Sequence, residues 1–478
     1  MMLHQVAARN LLRNRRRSIA TALTIAIGVT ALLLFGGFRA DLIKMMLTGY
    51  VRTMGHVVVQ HQDFFEYGSG NPAQYSIPDA TAVRNALLAQ PDLASSIHVA
   101  TPLLEFPSVA GHAARETSKT GLIIGLNADD QSRMRTWDFY DVRMPSTPLP
   151  LAGKPSNTAH LGMGVARMLQ VCSALPGGQK CGAQAPRPQV TNKPINNDLL
   201  DLAAEESVSS QGAQASKASS PSAAGSVEAD RAIEVLAATP RGVPNVQPFQ
   251  VIGAESQGFK EMDDAYVIVS YEAARDLLFG RGAKQATSIA IQLHNPSNMP
   301  TIVEKIRLML AAKFPGTSLT VRTVNELTPF IDQTISMFNT IFGFIAVLII
   351  SVVMFTVANT VSASILERTT EIGTVRALGL RRSTVMQLFL LEATILALVG
   401  TLLGIAGSVS MELLINALQL TWFPPGGSEH MPLTVSVFRE FRMVMGALVI
   451  AVVFSTLAAL PAANKAARLK IVDALRFT

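Results

Sequence analysis

The sequence predicts an α-helical membrane protein with four transmembrane helices plus a large α+β domain outside the bilayer. Mean hydropathy is +0.31 and only 15% of the 478 residues are charged, too apolar a balance for a chain that is soluble throughout. Four uncharged runs, at residues 19–38, 336–365, 393–411 and 443–464, are each long enough to cross the ~30 Å hydrocarbon core as a helix. Most of the chain lies between the first two runs, and there strand and helix signals alternate.

Residues 1–18 read as an amphipathic helix, with Leu3, Val6, Ala7 and Leu11 at helical spacing beside a cluster of arginines. Residues 19–47 are the first span and an outward extension of the same helix. The α+β domain is expected over residues 48–330. Its signals are a strand at Val57-Val58-Val59-Gln60, a helix over 78–90 opened by Pro78 and a strand over 121–126. A βαβ-like unit follows near the end, with alternating Ile289, Ile291 and Leu293, a helix over 302–312, then Leu319 and Val321. Residues 182–245 are expected to be a disordered insertion, because 207–227 is rich in Ser, Ala, Gln and Gly and cannot bury a core. The second span is 331–366, overlong and therefore projecting or tilted. A charged segment follows at 367–383, then the third span at 384–411, an outward loop at 412–441, the fourth span at 442–464 and a tail at 465–478.

Orientation follows from the positive residues beside the spans. Arg9, Arg13, Arg15, Arg16 and Arg17 precede the first span; Arg368, Arg376, Arg381 and Arg382 lie between the second and third; Lys465, Arg468, Lys470 and Arg476 follow the fourth. Both termini and the 367–383 segment are thus expected in the cytosol, and the α+β domain in the periplasm. The net charge of +6 is read as topology and not as a nucleic-acid surface. The first apolar run is read as an uncleaved anchor, since residues 37–40 lack a small-x-small site.

The two cysteines, Cys172 and Cys181, flank a turn-forming Pro176-Gly177-Gly178. In an oxidising compartment a disulfide is the natural reading, with two free thiols as the alternative. No G-x-x-x-x-G-K-[ST] phosphate loop, H-E-x-x-H pair or G-x-S-x-G elbow occurs, and the eight histidines have no ligand spacing. These absences give no support to catalysis or a metal site. Gly162-x-Gly164 lacks the third glycine of a nucleotide fingerprint and reads as a structural turn. Gly400, Gly404 and Ser408, four apart on the third span, form a face that admits a close neighbour, within the subunit or between two. Thr356, Asn359 and Thr360 read as helix contacts. No acidic residue lies mid-span, which speaks against proton-driven transport.

The most specific sequence is the connector. Glu367, Arg368, Glu371, Ile372, Gly373, Arg376, Ala377 and Gly379 supply every fixed position of E-R-x-x-E-I-G-x-x-R-A-x-G. This resembles the signature of FtsX-like permeases, the membrane subunits of MacB-type (type VII) ABC systems, which include the lipoprotein-release permeases. The resemblance implies that the connector is a coupling helix seated in a groove of a cytosolic ABC ATPase dimer. That ATPase would bind the ATP and Mg, so this chain would carry no cofactor. It also implies a second permease subunit, identical or paralogous, and a MacB-like periplasmic core domain with a ferredoxin-like or porter-type subdomain. Phe249-Gln250-Val251-Ile252-Gly253 and the 258–266 segment resemble the lipoprotein-release relatives, implying contact with membrane lipid and a lipoprotein substrate in the bacterial inner membrane. Alternatives are MacB-like export or mechanotransmission through a periplasmic adaptor, and FtsX-like regulation of a periplasmic hydrolase.

Overall fold

The structure, a computed structural model, describes residues 3–142, 144–176, 229–258, 260–423 and 430–469. Helix α1 (Leu3–Arg13) breaks at Asn14, and α2 (Arg15–Met54) then runs for 40 residues. It starts earlier and ends later than the 19–47 expected. Its outer polar residues do not stop it because each finds a partner: Arg39 donates to Asn339 at 2.6 Å, Asp41 accepts from Ser436 at 2.9 Å, Lys44 meets Glu440 at 2.5 Å, and Arg52 donates to the Trp137 carbonyl at 2.7 Å. Gly55 ends the helix at φ 77°, where a Cβ would lie 2.7 Å from the Ile291 carbonyl oxygen. Only glycine fits both the angle and the gap.

The chain passes straight into β1 (Val57–His61). Helix α3 (Ala80–Leu88) opens at Asp79, whose carboxylate accepts from the Ala82 N–H at 2.9 Å, and not at Pro78. There follow β2 (Ile97–His112), β3 (Thr117–Leu126), α4 (Ala128–Arg135), β4 (Thr158–Gly162), β5 (Ala232–Ala238), β6 (Pro244–Glu255), β7 (Tyr266–Ser270), α5 (Tyr271–Leu278), β8 (Ser288–Leu293), α6 (Met299–Lys313) and β9 (Leu319–Thr323).

Strand β1 lies between β8 and β9 and is antiparallel to both, so β8-α6-β9 is a split βαβ unit. Strand β2 pairs with β8 over its first half, then leaves for β3 and β5. The pairings β2–β3–β7–β4–β6–β5–β2 return on themselves, closing a ring of six strands. Phe106, Ile123, Leu161, Val235, Phe249 and Val251 are buried in its core. Gly162 and Gly164 do not form a turn; Gly162 ends β4 and Gly164 lies in the short helix that follows, and a side chain at either would strike Asp263 or Asp264.

The expected insertion is too long at its far end. Residues 232–245 include β5 and the start of β6, held by a seven-pair antiparallel register from Ala232↔Gln250 to Ala238↔Pro244. Ile233, Val235 and Ala237 point inward, which gives the segment a core to bury. The 207–227 stretch and Cys181 lie outside the described residues; Cys172 is buried at the start of a short turn.

Helix α7 (Pro329–Glu367) leaves the domain and leads to α8 (Thr369–Ala377), α9 (Arg382–Leu418), β10 (Thr421–Trp422), β11 (Met431–Pro432) and α10 (Phe441–Ala467). Helices α2, α7, α9 and α10 are long and apolar enough to cross a membrane, and the chain is a multi-pass membrane protein. Helix α9 outlasts the expected 411, so the loop before α10 is shorter than 412–441. Ile25 and Val29 of α2, Val353 and Val357 of α7, Phe389 of α9 and Ala459 of α10 share one core.

Candidate functional site

The connector charges are spent within the chain. Glu367, at the end of α7, accepts from Asn14 Nδ2 at 2.8 Å and Arg17 at 2.6 Å. Arg13 of α1 places one guanidinium nitrogen 2.9 Å from both carboxylate oxygens of Glu371. Arg368 is buried; it donates to Glu392 of α9 at 3.0 Å and to the Asn10 carbonyl at 3.1 Å, while Asn10 Nδ2 donates to Glu392 at 2.7 Å. Arg376 donates to the carbonyl of Leu469, just past α10. Four connector residues thus tie α7, α8 and α9 to α1 and to the end of α10.

Two apolar features complete the unit. Ile372 and Gly373 are buried, Ile372 among the core side chains that include Ile365, Val385 and Phe389. Gly379 takes φ 96° and turns the chain into α9, with Leu380 N–H reaching the Val375 carbonyl at 3.3 Å. Ala377 is exposed at the end of α8, and beyond it Leu378 is 84% exposed beside exposed Arg381 and Arg382. What faces away from the protein is therefore an apolar turn with two cations, and the motif's charged pairs hold that turn in place.

The small-residue face packs within the subunit. A Cβ on Gly400 would lie 2.8 Å from Ile25 Cβ, and one on Gly404 2.7 Å from Val29 Cβ, so α9 meets α2 with almost no gap. Thr30 Oγ1 donates to the Gly404 carbonyl at 3.0 Å, and Ser408 is fully buried. Thr360 of α7 meets Thr21 of α2 at 2.8 Å, while Asn359 is exposed.

At the opposite end sits a contact that sequence reasoning missed. The loop before α10 is pinned by α9, where Asn416 bonds both backbone groups of Val435 and Glu412 accepts from the N–H groups of Val437 and Phe438. It then grips α2 through Ser436–Asp41 and Glu440–Lys44, and reaches the α/β domain through Arg439–Asp141 at 2.5 Å. Tyr50 of α2 lies near Thr328, the residue before α7, and interacts electrostatically with Glu105 of β2. Burial pushes the Glu105 carboxyl up to about 7. The density of charged and polar residues flanking the first span was the available signal, but it reads first as topology. Among the described residues, no group of three His, Cys, Asp or Glu is placed to hold a metal ion.

With this geometry in hand, residues 343–470 match the family described as FtsX-like permease C-terminal. That match contains most of α7, all of α8, α9 and α10 and the connector residues, but not their partners on α1 and α2. Residues 343–470 are an FtsX-like permease C-terminal domain. The chain is 31% identical over 173 residues to the macrolide export ATP-binding/permease protein MacB of Bordetella avium, covering 35% of this chain and 26% of that one. It is 23% identical over 248 residues to the lipoprotein-releasing system transmembrane protein LolC of Xylella fastidiosa, covering 50% and 58%. An uncharacterized ABC transporter permease of Methanocaldococcus jannaschii is 22% identical over 228 residues, covering 48% and 55%. The chain thus spans less than two thirds of the length of these relatives.

Proposed function

We propose that this chain is the permease subunit of a MacB-type ABC system, in which a separate cytosolic ATPase dimer binds ATP and Mg and drives movement of a periplasmic α/β domain. The single observation that carries the reading is the connector, a motif braced by internal pairs that presents Leu378 and the cations Arg381 and Arg382 outward. Two unbroken helices lead away from it: α2 continues into β1 through Gly55, and α7 begins shortly after β9. Movement of the connector is thereby delivered to adjacent strands of one sheet. No step in this reading asks the chain itself for catalysis.

In this reading both termini and the connector are cytosolic, the membrane is the bacterial inner membrane, and a second permease, identical or paralogous, completes the assembly. Lipoprotein release is the favoured activity, supported by the LolC relative, whose match covers more of both chains than the MacB match does. The Cys172–Cys181 bridge belongs to the same picture, since it needs an oxidising compartment.

The test has two arms. Purification of the full chain from its native membrane should bring down a phosphate-loop ATPase whose hydrolysis rises on reconstitution with the permease. In a Cys172→Ala, Cys181→Ala background, Val243→Cys should react with an impermeant thiol reagent on intact spheroplasts, and Leu378→Cys only after the cytosol is opened. The reverse labelling, or a preparation without ATPase, would overturn the reading.

A further inference from the structure

Five arginines fall within residues 9–17, and no Asp or Glu occurs before Asp41. Two of the five are engaged by the connector, Arg13 by Glu371 and Arg17 by Glu367. The other three, Arg9, Arg15 and Arg16, are exposed, and among the described residues no carboxylate lies within ion-pair distance of them. The connector leaves these three cations free.

Their setting is a fixed elbow. Ser18 Oγ donates to the Leu11 carbonyl at 3.0 Å and Arg15 Nε to the Leu12 carbonyl at 3.1 Å, so side chains of α2 satisfy carbonyls left open at the end of α1. Helix α1 is also tied to α9, through Asn10 and Glu392 at 2.7 Å. A requirement for positive charge on one side of the membrane explains the arginines, but not their placement at a locked bend.

The elbow lies at the depth of lipid phosphates. On α2 the side chains of Ile19, Leu23 and Ile27 recur every four residues and are 56%, 50% and 69% exposed, a stripe open to lipid. Residues 19–38 rise ~30 Å as a helix, which matches the hydrocarbon core and sets its inner edge at Ile19. Arg15 is one turn away, ~6 Å, and so falls within the ~5–8 Å of the headgroup layer. On α1, Arg9 shares a face with Leu12, which is 63% exposed. A leucine bared among three cations fits the boundary where apolar side chains enter the membrane and charged tips stay at its surface.

That depth selects the partner. Arg381 and Arg382 are separated from the apolar run of α9 by exposed Ser383 and Gln387, and stand further out, where a soluble subunit can reach them. Arg9, Arg15 and Arg16 are level with the headgroups, and a soluble surface could meet them only by displacing lipid. The acceptor at hand there is the phosphate of an anionic lipid.

We propose that the α1–α2 elbow binds anionic phospholipid of the inner leaflet, with Arg9, Arg15 and Arg16 on the headgroup and Leu12 and Ile19 against the acyl chains. The lipid holds α1, and α1 holds the connector through Arg13 on Glu371 and the Asn10 carbonyl on Arg368. Anionic lipid is thereby a brace for the coupling segment. This goes beyond the reading above and takes from it only that the connector is cytosolic.

The experiment uses the full chain carrying Cys172→Ala, Cys181→Ala and Ala20→Cys, with a donor dye on the exposed position 20. It is placed in phosphatidylcholine nanodiscs doped with acceptor-labelled phosphatidylglycerol or acceptor-labelled phosphatidylcholine. Each cation at an anionic surface is worth about fivefold in occupancy, so phosphatidylglycerol should be enriched at the elbow at least tenfold, and less so in high salt. The Arg9→Gln, Arg15→Gln, Arg16→Gln variant should lose the preference with an unchanged melting curve, and the matching triple Arg→Lys variant should keep it. Phosphatidylglycerol should also slow amide exchange in α1 and α8 of the parent but not of the glutamine variant. Equal energy transfer from the two lipids would overturn the site, as would a preference that survives the glutamine variant. A glutamine variant that loses ATPase association but keeps its lipid preference would make the ATPase the occupant, and unchanged exchange in α1 and α8 would remove the brace. Absence of enrichment in a preparation that binds the ATPase removes the lipid site alone; enrichment in one that binds no ATPase removes the permease reading alone.

Discussion

Helices α7 and α9 are nearly equal in length, 39 and 37 residues, and both are apolar throughout the bilayer, yet they are held very differently. In their most apolar stretches, 44% of α9 is buried inside the protein but only 11% of α7. Helix α9 carries Gly400 and Gly404 at the α2 seam; the corresponding glycine of α7, Gly343, has nothing within 4 Å of where a Cβ would be. The difference teaches that α2 and α9 form a close pair, while α7 buries one narrow stripe along its inner half, Val353, Val357, Val361 and Ile365. The rest of the helix, with Phe344, Val347 and Phe355 exposed, is open to lipid or to a neighbouring helix.

The comparison can be broken most sharply at the inner end of α7. Arg368→Met leaves Glu392 buried without its cation, and loss of one partner from a buried pair costs about 3–5 kcal/mol. Thermal unfolding in detergent should show a large fall, and adding Glu392→Leu should recover much of it. No recovery in the double variant would mean that the pair is not what ties α7 to α9.

The α/β domain adds a pH dependence of its own. The Glu105 carboxyl is raised from its ordinary value to about 7. The folded state therefore holds the proton more tightly than the unfolded chain, so stability is fully present below about pH 4.5 and is lost as pH rises through 7. Glu105→Gln should be more stable than the parent at pH 8, by a few kcal/mol, and equal to it at pH 4.5. Parallel melting curves across that range would show that the carboxyl is solvated.

The seam itself sharpens the contrast. Gly404→Leu forces a side chain into Val29 and should cost about 1–3 kcal/mol by overpacking, whereas Gly343→Leu on α7 should leave the melting temperature within error. Equal effects would erase the distinction between the two helices. The smallest change is expected at Glu371→Gln: its pair with Arg13 is mostly exposed, so global stability should not move measurably. The readout is local, a rise in amide exchange of α1.

Much of this was legible because the bilayer imposes a coarse code. The four spans and the connector declare themselves through uncharged runs and flanking arginines, with no need of long-range information. The outer end of α9 was not legible, since Glu412 reads as a stop until the backbone of Val437 is seen to satisfy it. The six-strand ring was hidden for another reason. In β5 the inward Ile233, Val235 and Ala237 alternate correctly, but outward Leu236 blurs the pattern, and the polar segment before it suggests that no core follows. In the connector the motif was visible, while the intramolecular use of its charges was not, because Asn10, Arg13, Asn14 and Arg17 lie more than three hundred residues away in sequence.

One consequence follows from the length of α2. Forty residues at 1.5 Å each make a rod of about 60 Å, seated against Gly400 and Gly404 partway along. If that seam is a fulcrum, the arms on its two sides are about 18 and 40 Å, and a rocking of about 5° swings the far end by roughly 3.5 Å. The Gly55 joint cannot absorb the swing, because the Ile291 backbone blocks its free side. The rod thus has a stiff wrist, and an ångström-scale displacement at its near end arrives at Gly55 enlarged about twofold, in the opposite direction.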